Sequence, residues 1–350
     1  MISIPTLAEF KFSQDEITNE YINSHITKDS LDNIQKHYSN GLSKYIEKIE
    51  VEIVSDIKNC ERLWRGFSPK NSLFDTWDFR YPFHKNYNFN TYFITVKNES
   101  YILGVLPLCY DSIVSGFRWF GTSWQEDNVF FVREIEYLPL LLFLAPKPLS
   151  LFAIKEEETK RFPTTLFQPD DSKYVLNLKN NSSLDFYLST LKKKKRYNLR
   201  RDVKRISKLN PKVYTDRFED YDKMVEIAKK RFSQKGELTD WEEEPSSIGT
   251  FRDIISYNKD AFKPKIISVE IDGKLAGCDL IAVCKDFYYT LKGGYDVSAY
   301  PGIGNYLNIY EIEDALSLGM KYIDFLQIDY GWKKSMFEEV PLFKYEVKKQ

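Results

Sequence analysis

Two apolar runs in KIISVEIDGKLAGCDLIAVCKDFYYTLKGGYD meet at Asp272-Gly273. β-Branched and apolar residues on both sides of an Asp-Gly pair leave few options, because that dipeptide supplies the positive backbone dihedrals of a tight hairpin turn. From Lys265 the chain therefore reads as an antiparallel meander. A second passage, TYFITVKNESYILGVLPLCYD from Thr91, reads as strand, turn, strand around the polar cluster Lys97 to Ser100. Val96 to Gly104 and Val269 to Gly277 place a valine, a polar turn, an apolar rise and a glycine at the same offsets. That is either an internal duplication or the shared grammar of two hairpins.

The second meander runs into GGYDVSAYPGIGNYLNIYEIEDALSLG, where Ile303, Leu307, Ile309, Tyr310, Ile312, Ala315 and Leu316 recur at helical spacing and Gly319 is placed to end the helix. KYIDFLQI then reads as a buried strand and GWKKSMFEEV as a short helix. An antiparallel meander leading into a crossover makes a mixed α/β domain, an α+β mixed sheet. The first hairpin leads instead into FRWFGTSWQEDNVFF, with one glycine and no comparable helix, so only the second half is expected to keep the glycine loop.

At 350 residues the chain has room for two domains at roughly 150 residues each. The expected division is an N-terminal extension over 1–50, a first half over 51–170 and a second over 171–350. A net charge of −1 selects no partner by itself. Four cysteines are too few and too scattered for a disulfide framework or a CxxC metal site, and the even spacing of Cys278 and Cys284 puts both on one strand face as small core residues. His25, His37 and His84 show no triad or ligand spacing, so neither metal nor covalent catalysis is expected. MISIPTLAEFKF lacks the pattern of a signal peptide. The longest apolar run, Leu138 to Ala145, contains Pro139 and is too short to span a bilayer. No transmembrane segment and a cytoplasmic location are the expectation.

Upstream of the second meander, SSLDFYLSTLKKKKRYNLRRDVKRISKLN carries one apolar stripe, Leu184, Leu188, Leu191, Leu199, Val203, Ile206 and Leu209, with Ser182 or Ser183 placed to cap its start. Between Lys192 and Lys208 ten basic residues face one acid, Asp202. This is a solvated helix face, a patch for a phosphorylated ligand that includes Arg196 and Arg200, or a nucleic-acid surface.

Taken together, KKKKRYNLRRDVKR, the meander ending in GGYD, the PGIGNYL loop and the closing YIDFLQ resemble the GNAT-superfamily domain of CelD-like proteins, relatives of the Fem-type peptidoglycan aminoacyltransferases. LWRGF, LFDTWDF, GVLPL and FGTSWQED extend the resemblance over roughly residues 50 to 348. It implies two fused GNAT-like halves, each with a mixed, mainly antiparallel sheet. The first half would be non-catalytic and shape the acceptor cleft between them, and the second would bind the donor. The implied reaction is acyl transfer from acyl-coenzyme A, without a metal, to an amino or hydroxyl group of a sugar or cell-envelope precursor, as in polysaccharide biosynthesis. An aminoacyl-tRNA donor and a non-catalytic binding module are the alternatives.

In the superfamily the donor pyrophosphate lies on a loop of the form Gln/Arg-x-x-Gly-x-Gly/Ala. Here Ala299-Tyr-Pro-Gly302-Ile-Gly304 keeps both glycines and has alanine at the first position, so the resemblance places the donor on Gly302, Ile303, Gly304 and Asn305. A helix start is suited to that role, because its amides and dipole point at an anion. Acyl transfer needs a base and an acid. The candidates are Asp296, as base, acceptor anchor or turn cap; Tyr295, as proton donor or packing residue; and Asp324, as base or structural carboxylate. Lys333 and Lys334 lie where the family tends to show Tyr-Lys. The acidic loop KGELTDWEEEP is expected to be a solvated surface loop or a cover for the acceptor.

Overall fold

A computed structural model describes residues 49–98, 101–163, 165–180, 183–256 and 261–348. The extension expected over 1–50 falls almost wholly outside them, as do His25, His37 and Ser182. The chain divides into two compact units, one holding residues up to 70, 74–170 and those from 342 on, the other 71–73 and 171–341.

The first unit is built on strands β1 (Ile49–Val54), β2 (Asn90–Asn98), β3 (Tyr101–Asp111), β4 (Gly116–Trp119), β5 (Phe131–Val132), β6 (Leu149–Lys155) and β7 (Gln168–Pro169). Its helices are α1 (Ile57–Phe67), α2 (Trp77–Tyr87), α3 (Leu138–Leu144) and α4 (Glu156–Thr159). The second unit has strands β8 (Lys173–Asn177), β9 (Lys212–Thr215), β10 (Lys263–Ile271), β11 (Lys274–Cys284), β12 (Phe287–Tyr295), β13 (Tyr322–Gln327) and β14 (Glu338–Val340). Its helices are α5 (Leu184–Thr190), α6 (Lys193–Ser207), α7 (Tyr221–Ser233), α8 (Asp240–Glu243), α9 (Ser246–Ser256) and α10 (Ile303–Ser317). The last strand, β15 (Leu342–Val347), returns to the first sheet and pairs with β6 and β7, although its sequence falls within the 171–350 half drawn above. The sheet orders are β1-β2-β3-β4-β6-β15-β7, with β5 on β3, and β14-β8-β13-β12-β11-β10-β9.

Both sheets are mixed, and both repeat one plan. In each, an antiparallel meander is followed by a crossover to a parallel partner, β4 to β6 in the first and β12 to β13 in the second. The two hairpins flagged in the sequence match closely. Val96 pairs Gly104 and Val269 pairs Gly277, and each ladder shifts register at the next residue. Asp272 and Gly273 both adopt positive φ, 50° and 74°, as their turn requires. The first half, expected to have no comparable helix, carries only the 7-residue α3 at this place against 15 residues in α10, though both helices pack on a strand glycine. A Cβ on Gly104 would lie 2.8 Å from Leu141 Cδ1, and one on Gly277 2.8 Å from Leu307 Cδ1.

Other expectations need adjustment. The basic segment is two helices, because Leu191 and Lys192 adopt extended ψ values of 148° and 139°. Ser183 caps the first of them by accepting from the Phe186 amide. Along α6 only Leu199, Asp202 and Ile206 are buried, and Leu209 is exposed. GWKKSMFEEV forms a single 3-10 turn over Lys333–Ser335 and then β14. The acidic loop is anchored: Thr239 and Glu242 form a capping box, Trp241 is buried, and Asp240 pairs with Lys292. Cys278 and Cys284 are buried free thiols, as expected. Among the described residues no helix is long and apolar enough to cross a membrane, and no cluster of three or more His, Cys, Asp or Glu could hold a metal ion.

Candidate functional site

Strand β12 contains one residue more than its partner β11 accommodates. Leu280 pairs Lys292 and Ile281 pairs Thr290, which leaves Leu291 as a bulge. A bulge bends its strand and ends regular pairing on it. On the other side, β12 stays parallel to β13 only from Phe287↔Tyr322 to Tyr289↔Asp324, although β12 continues to Tyr295 and β13 to Gln327. The two strands therefore part just before the bulge. A notch opens in the sheet, and the chain leaving β12 at Tyr295 carries the glycine loop into α10.

The far side of the notch is held open by buried charge. Asp324 is fully buried, pairs with Lys173 at 2.7 Å, and accepts from the Leu326 amide at 2.9 Å. That contact stabilises Leu326 at a positive φ of 62°, where β13 breaks register with β8. Lys333, also buried, donates to the carbonyl oxygens of Phe325, Leu326 and Gln327. Backbone groups released from pairing must find partners, and an ammonium with three donors supplies them. Asp324, expected as a candidate base, thus holds the strand end in shape, because both its oxygens are engaged inside the core. Lys334 is exposed and pairs with Glu339.

The glycine loop is fastened to the basic helix. Gly302 adopts a φ of 99°, and a Cβ there would stand 2.8 Å from Asp202 Cβ. Asn305 Nδ2 donates to Asp202 Oδ2 at 2.7 Å, and Arg205 donates to the Pro301 carbonyl at 3.4 Å. Gly302 is therefore required first by backbone conformation and by its approach to α6. Ile303 is core, and its amide donates to the Tyr300 carbonyl. The amides of Gly304 and Asn305 have no acceptor among the described residues, and a Cβ on Gly304 would meet nothing nearer than Tyr295 Cγ at 4.0 Å. Of the four residues expected at the donor, the backbone of Gly304 and Asn305 is what the first turn of α10 leaves available.

Arg196 and Arg200 face elsewhere. Arg196 donates to the Leu188 and Ser189 carbonyls at the end of α5, and Arg200 lies 3.8 Å from Asp185. The basic side chain that reaches the loop is Arg205, which the sequence did not single out within a run of ten similar residues.

Tyr295 and Asp296 differ in direction. The Tyr295 hydroxyl donates inward to Asp279 Oδ1 at 2.5 Å, and burial raises its pKa well above the usual phenol value. Asp296 accepts from Ser298 Oγ at 2.7 Å and from the Ala299 amide at 3.1 Å. Partial burial works to raise its carboxyl, but these hydrogen bonds and the Lys230 cation outweigh it and hold the pKa below the usual value. Asp296 is thus an ionised turn cap. It also lines a small cleft with Tyr295, Ser298, Lys230, Arg231 and Gln234. Helix α7 reaches this cleft because Gly294 admits it: a Cβ on Gly294 would collide with the Met224 carbonyl. One heptad later Arg231 lies 6.0 Å from the Tyr295 ring centre, with its Nε buried and unpartnered.

With this geometry in view, residues 193–334 match the family model described as an acetyltransferase (GNAT) domain. This segment is a GNAT domain. The match spans α6, the meander, the bulged strand, the glycine loop and the notch. Among solved structures the chain is similar to FemX, at 12% identity and a TM-score of 0.58, covering 85% of this chain and 97% of that one. A tandem GNAT protein from the clavulanic acid biosynthesis pathway matches at 8% identity and a TM-score of 0.51, over 86% and 99%. A conserved protein of unknown function from Bacteroides thetaiotaomicron matches at 13% identity and 0.51, over 85% and 100%. At these identities the likeness is one of fold, and it agrees with two GNAT-like halves. No curated protein matches the sequence.

Proposed function

We infer that the chain is an acyltransferase that moves an acyl group from acyl-coenzyme A to an amino or hydroxyl group of a sugar or cell-envelope precursor. The observation that carries the reading is the notch beside the bulge of β12, in a GNAT domain, with two unpartnered amides of α10 following it in the chain. The residues fit a pyrophosphate donor. Gly304 and Asn305 offer backbone donors at a helix start, and Arg205 brings a cation to the loop where Ala299 lacks one. Backbone freed along β12 can pair with an extended donor arm, as an added strand would.

In the reaction the acceptor's amine or hydroxyl attacks the thioester carbonyl, the tetrahedral oxyanion collapses, and the thiolate leaves with a proton. Asp296 anchors the acceptor at the cleft as an ionised carboxylate, and Arg231 with Lys230 serves an anionic part of the same molecule. With the Asp296 carboxyl held below its usual value, rate comes mainly from positioning.

An aminoacyl-tRNA donor is the second reading, favoured by the cations that α6 presents beside the loop. Salt dependence separates the two. Each phosphate contact to RNA contributes a logarithmic slope of about −0.7 to −0.9, so tRNA binding would weaken steeply with salt and coenzyme A binding only slightly. Calorimetric titration of the purified chain with acetyl-coenzyme A, paired with intact-mass analysis of ligands that co-purify, tests the reading. Saturable binding with a shallow salt slope supports it; tight tRNA binding coupled to aminoacyl transfer overturns it; absence of either leaves a binding module.

A further inference from the structure

Below the glycine loop, two carboxyl groups face each other inside the core without a donor between them. Gly277 on β11 lies under Ile303 and Leu307 of α10. Two residues further along β11 stands Asp279, and one helical turn further along α10 stands Glu311. The two side chains lie within hydrogen-bonding reach of one another. Both residues are almost completely buried, at 3% and 1% exposure. Asp279 Oδ2 and Glu311 Oε1 are shielded from solvent and have no partner. Space for this arrangement is made by Gly293, opposite Asp279 in the sheet, where any Cβ would collide with Asp279 Oδ1 and the Tyr295 hydroxyl.

Ionised carboxylates only accept hydrogen bonds, so two of them placed together in a core repel and leave both oxygens unsatisfied. One proton resolves both problems at once. We propose that Asp279 and Glu311 share a single proton, and that this proton seats α10 on β11, making the two residues positioning residues for the donor-facing first turn of that helix. The direction of the hydrogen bonds follows. Tyr295 gives its proton to Asp279 Oδ1, and the shared proton lies between the remaining carboxyl oxygens of Asp279 and Glu311. Burial is the main cause of the upward shift in both groups: it pushes Asp279 up to about 7 and Glu311 well above the ordinary carboxyl value.

Among the described residues the surrounding groups leave the pair without a counterion. From β12, Tyr295 and Tyr288 face it as neutral phenols, and Tyr288 donates to Asp314 Oδ2 at 3.0 Å. Asp314, on α10 itself, is engaged by Lys265 of β10 at 2.7 Å. From α7, Arg231 lies 6.0 Å from the centre of the Tyr295 ring and is not among the groups that act on either carboxyl. Removal of the shared proton would place two anions in contact under α10, and the helix that carries the loop is the element free to yield.

The effect on the donor rests on the acyl-coenzyme A reading, whereas the proton itself is tested without any ligand. Infrared difference spectroscopy of the full chain at about pH 6 should show the carbonyl band of a protonated carboxylic acid, shifted in frequency or lost in both Glu311→Gln and Asp279→Asn. Each amide supplies a permanent N–H where the proton was, so both variants are expected to fold, and one folded variant suffices. No such band in the wild type, or a band unchanged in frequency in whichever variants fold, overturns the shared proton. Coenzyme A affinity is then measured from about pH 6 to about pH 9. The wild type is expected to lose about tenfold and Glu311→Gln to stay level; equal pH dependence in both overturns the positioning role. If coenzyme A does not bind, the donor reading and the positioning role fall together, and the infrared result still decides the proton.

Discussion

A Cβ on Gly277 would stand 2.8 Å from Leu307 Cδ1, which fixes how closely α10 lies on the sheet beneath the glycine loop. Leu307 and Ile303 are both fully buried, so neither side chain has space to turn away from a methyl group at Gly277. Gly277→Ala should cost about 1–3 kcal/mol by overpacking, read from the urea midpoint at unchanged slope. Gly104→Ala should behave alike, because Leu141 stands at the same distance. A cost confined to one of the two would mean that the crossover helices are not seated equivalently.

Gly302 and Gly304 should separate scaffold from ligand. Gly302→Ala forces a side chain into the left-handed region and against Asp202, with a loss of about 1–3 kcal/mol of stability. Gly304→Val enters open space at the first turn of α10 and should leave the thermal midpoint nearly unchanged while weakening coenzyme A binding at least tenfold in calorimetry. Full affinity in a folded Gly304→Val chain would move the donor away from this turn.

Lys173 and Asp324 form a buried ion pair, and removing one partner strands the other. Lys173→Met and Asp324→Asn should each lower stability by about 3–5 kcal/mol. Turnover per folded molecule should hold for Asp324→Asn. A loss of about 10² or more in kcat with stability intact would restore Asp324 as a base.

Stability should depend on pH through Asp279, and the sign follows from proton uptake. Burial raises its folded value to about 7 from an ordinary 3.8, so between those values the folded state binds more protons than the unfolded one. The stabilising contribution is fully present below the lower value, declines as pH rises, and is gone above the upper one. The difference in denaturant midpoint between the wild type and Asp279→Asn, followed across that window, should shrink or invert with rising pH. A difference that grows with pH would contradict the raised carboxyl.

Asp296→Asn should raise the acceptor KM with a smaller change in kcat, and Arg231→Met should do the same for an acceptor that carries an anion. Because hydrogen bonds and Lys230 keep Asp296 ionised, its loss should not remove a limb of the pH–rate profile near neutrality. Disappearance of such a limb would identify Asp296 as the base.

The hairpins, the crossover and the second strand were legible because their signals are local: Asp272-Gly273 fixes a turn, Gly319 ends a helix at a positive φ of 69°, and β-branched runs mark strands. The GNAT kinship could be read from the order of such pieces. What could not be read were partnerships set by tertiary contact. Asp202 looked like a stray acid in a basic helix, yet it holds Asn305 more than a hundred residues away. Asp279 and Glu311 sit within apolar runs, where nothing distinguishes a paired carboxyl from a solvated one until the strand and the helix are laid together. Leu191 carried the helical period through a break that only backbone angles reveal.

The path of the chain also orders events during synthesis. Asp170 donates its amide to the Leu342 carbonyl, so everything between them leaves the first unit and returns at a single point. β15 then fills the place between β6 and β7. A ribosome that has made all of β1 to β7 has therefore made a sheet with a missing strand, and the gap closes only after the GNAT domain has emerged. A premature stop just before Leu342 would spare the domain that carries the proposed chemistry and leave an exposed strand edge on the other, the kind of lesion that draws chaperones and proteases rather than silencing a reaction.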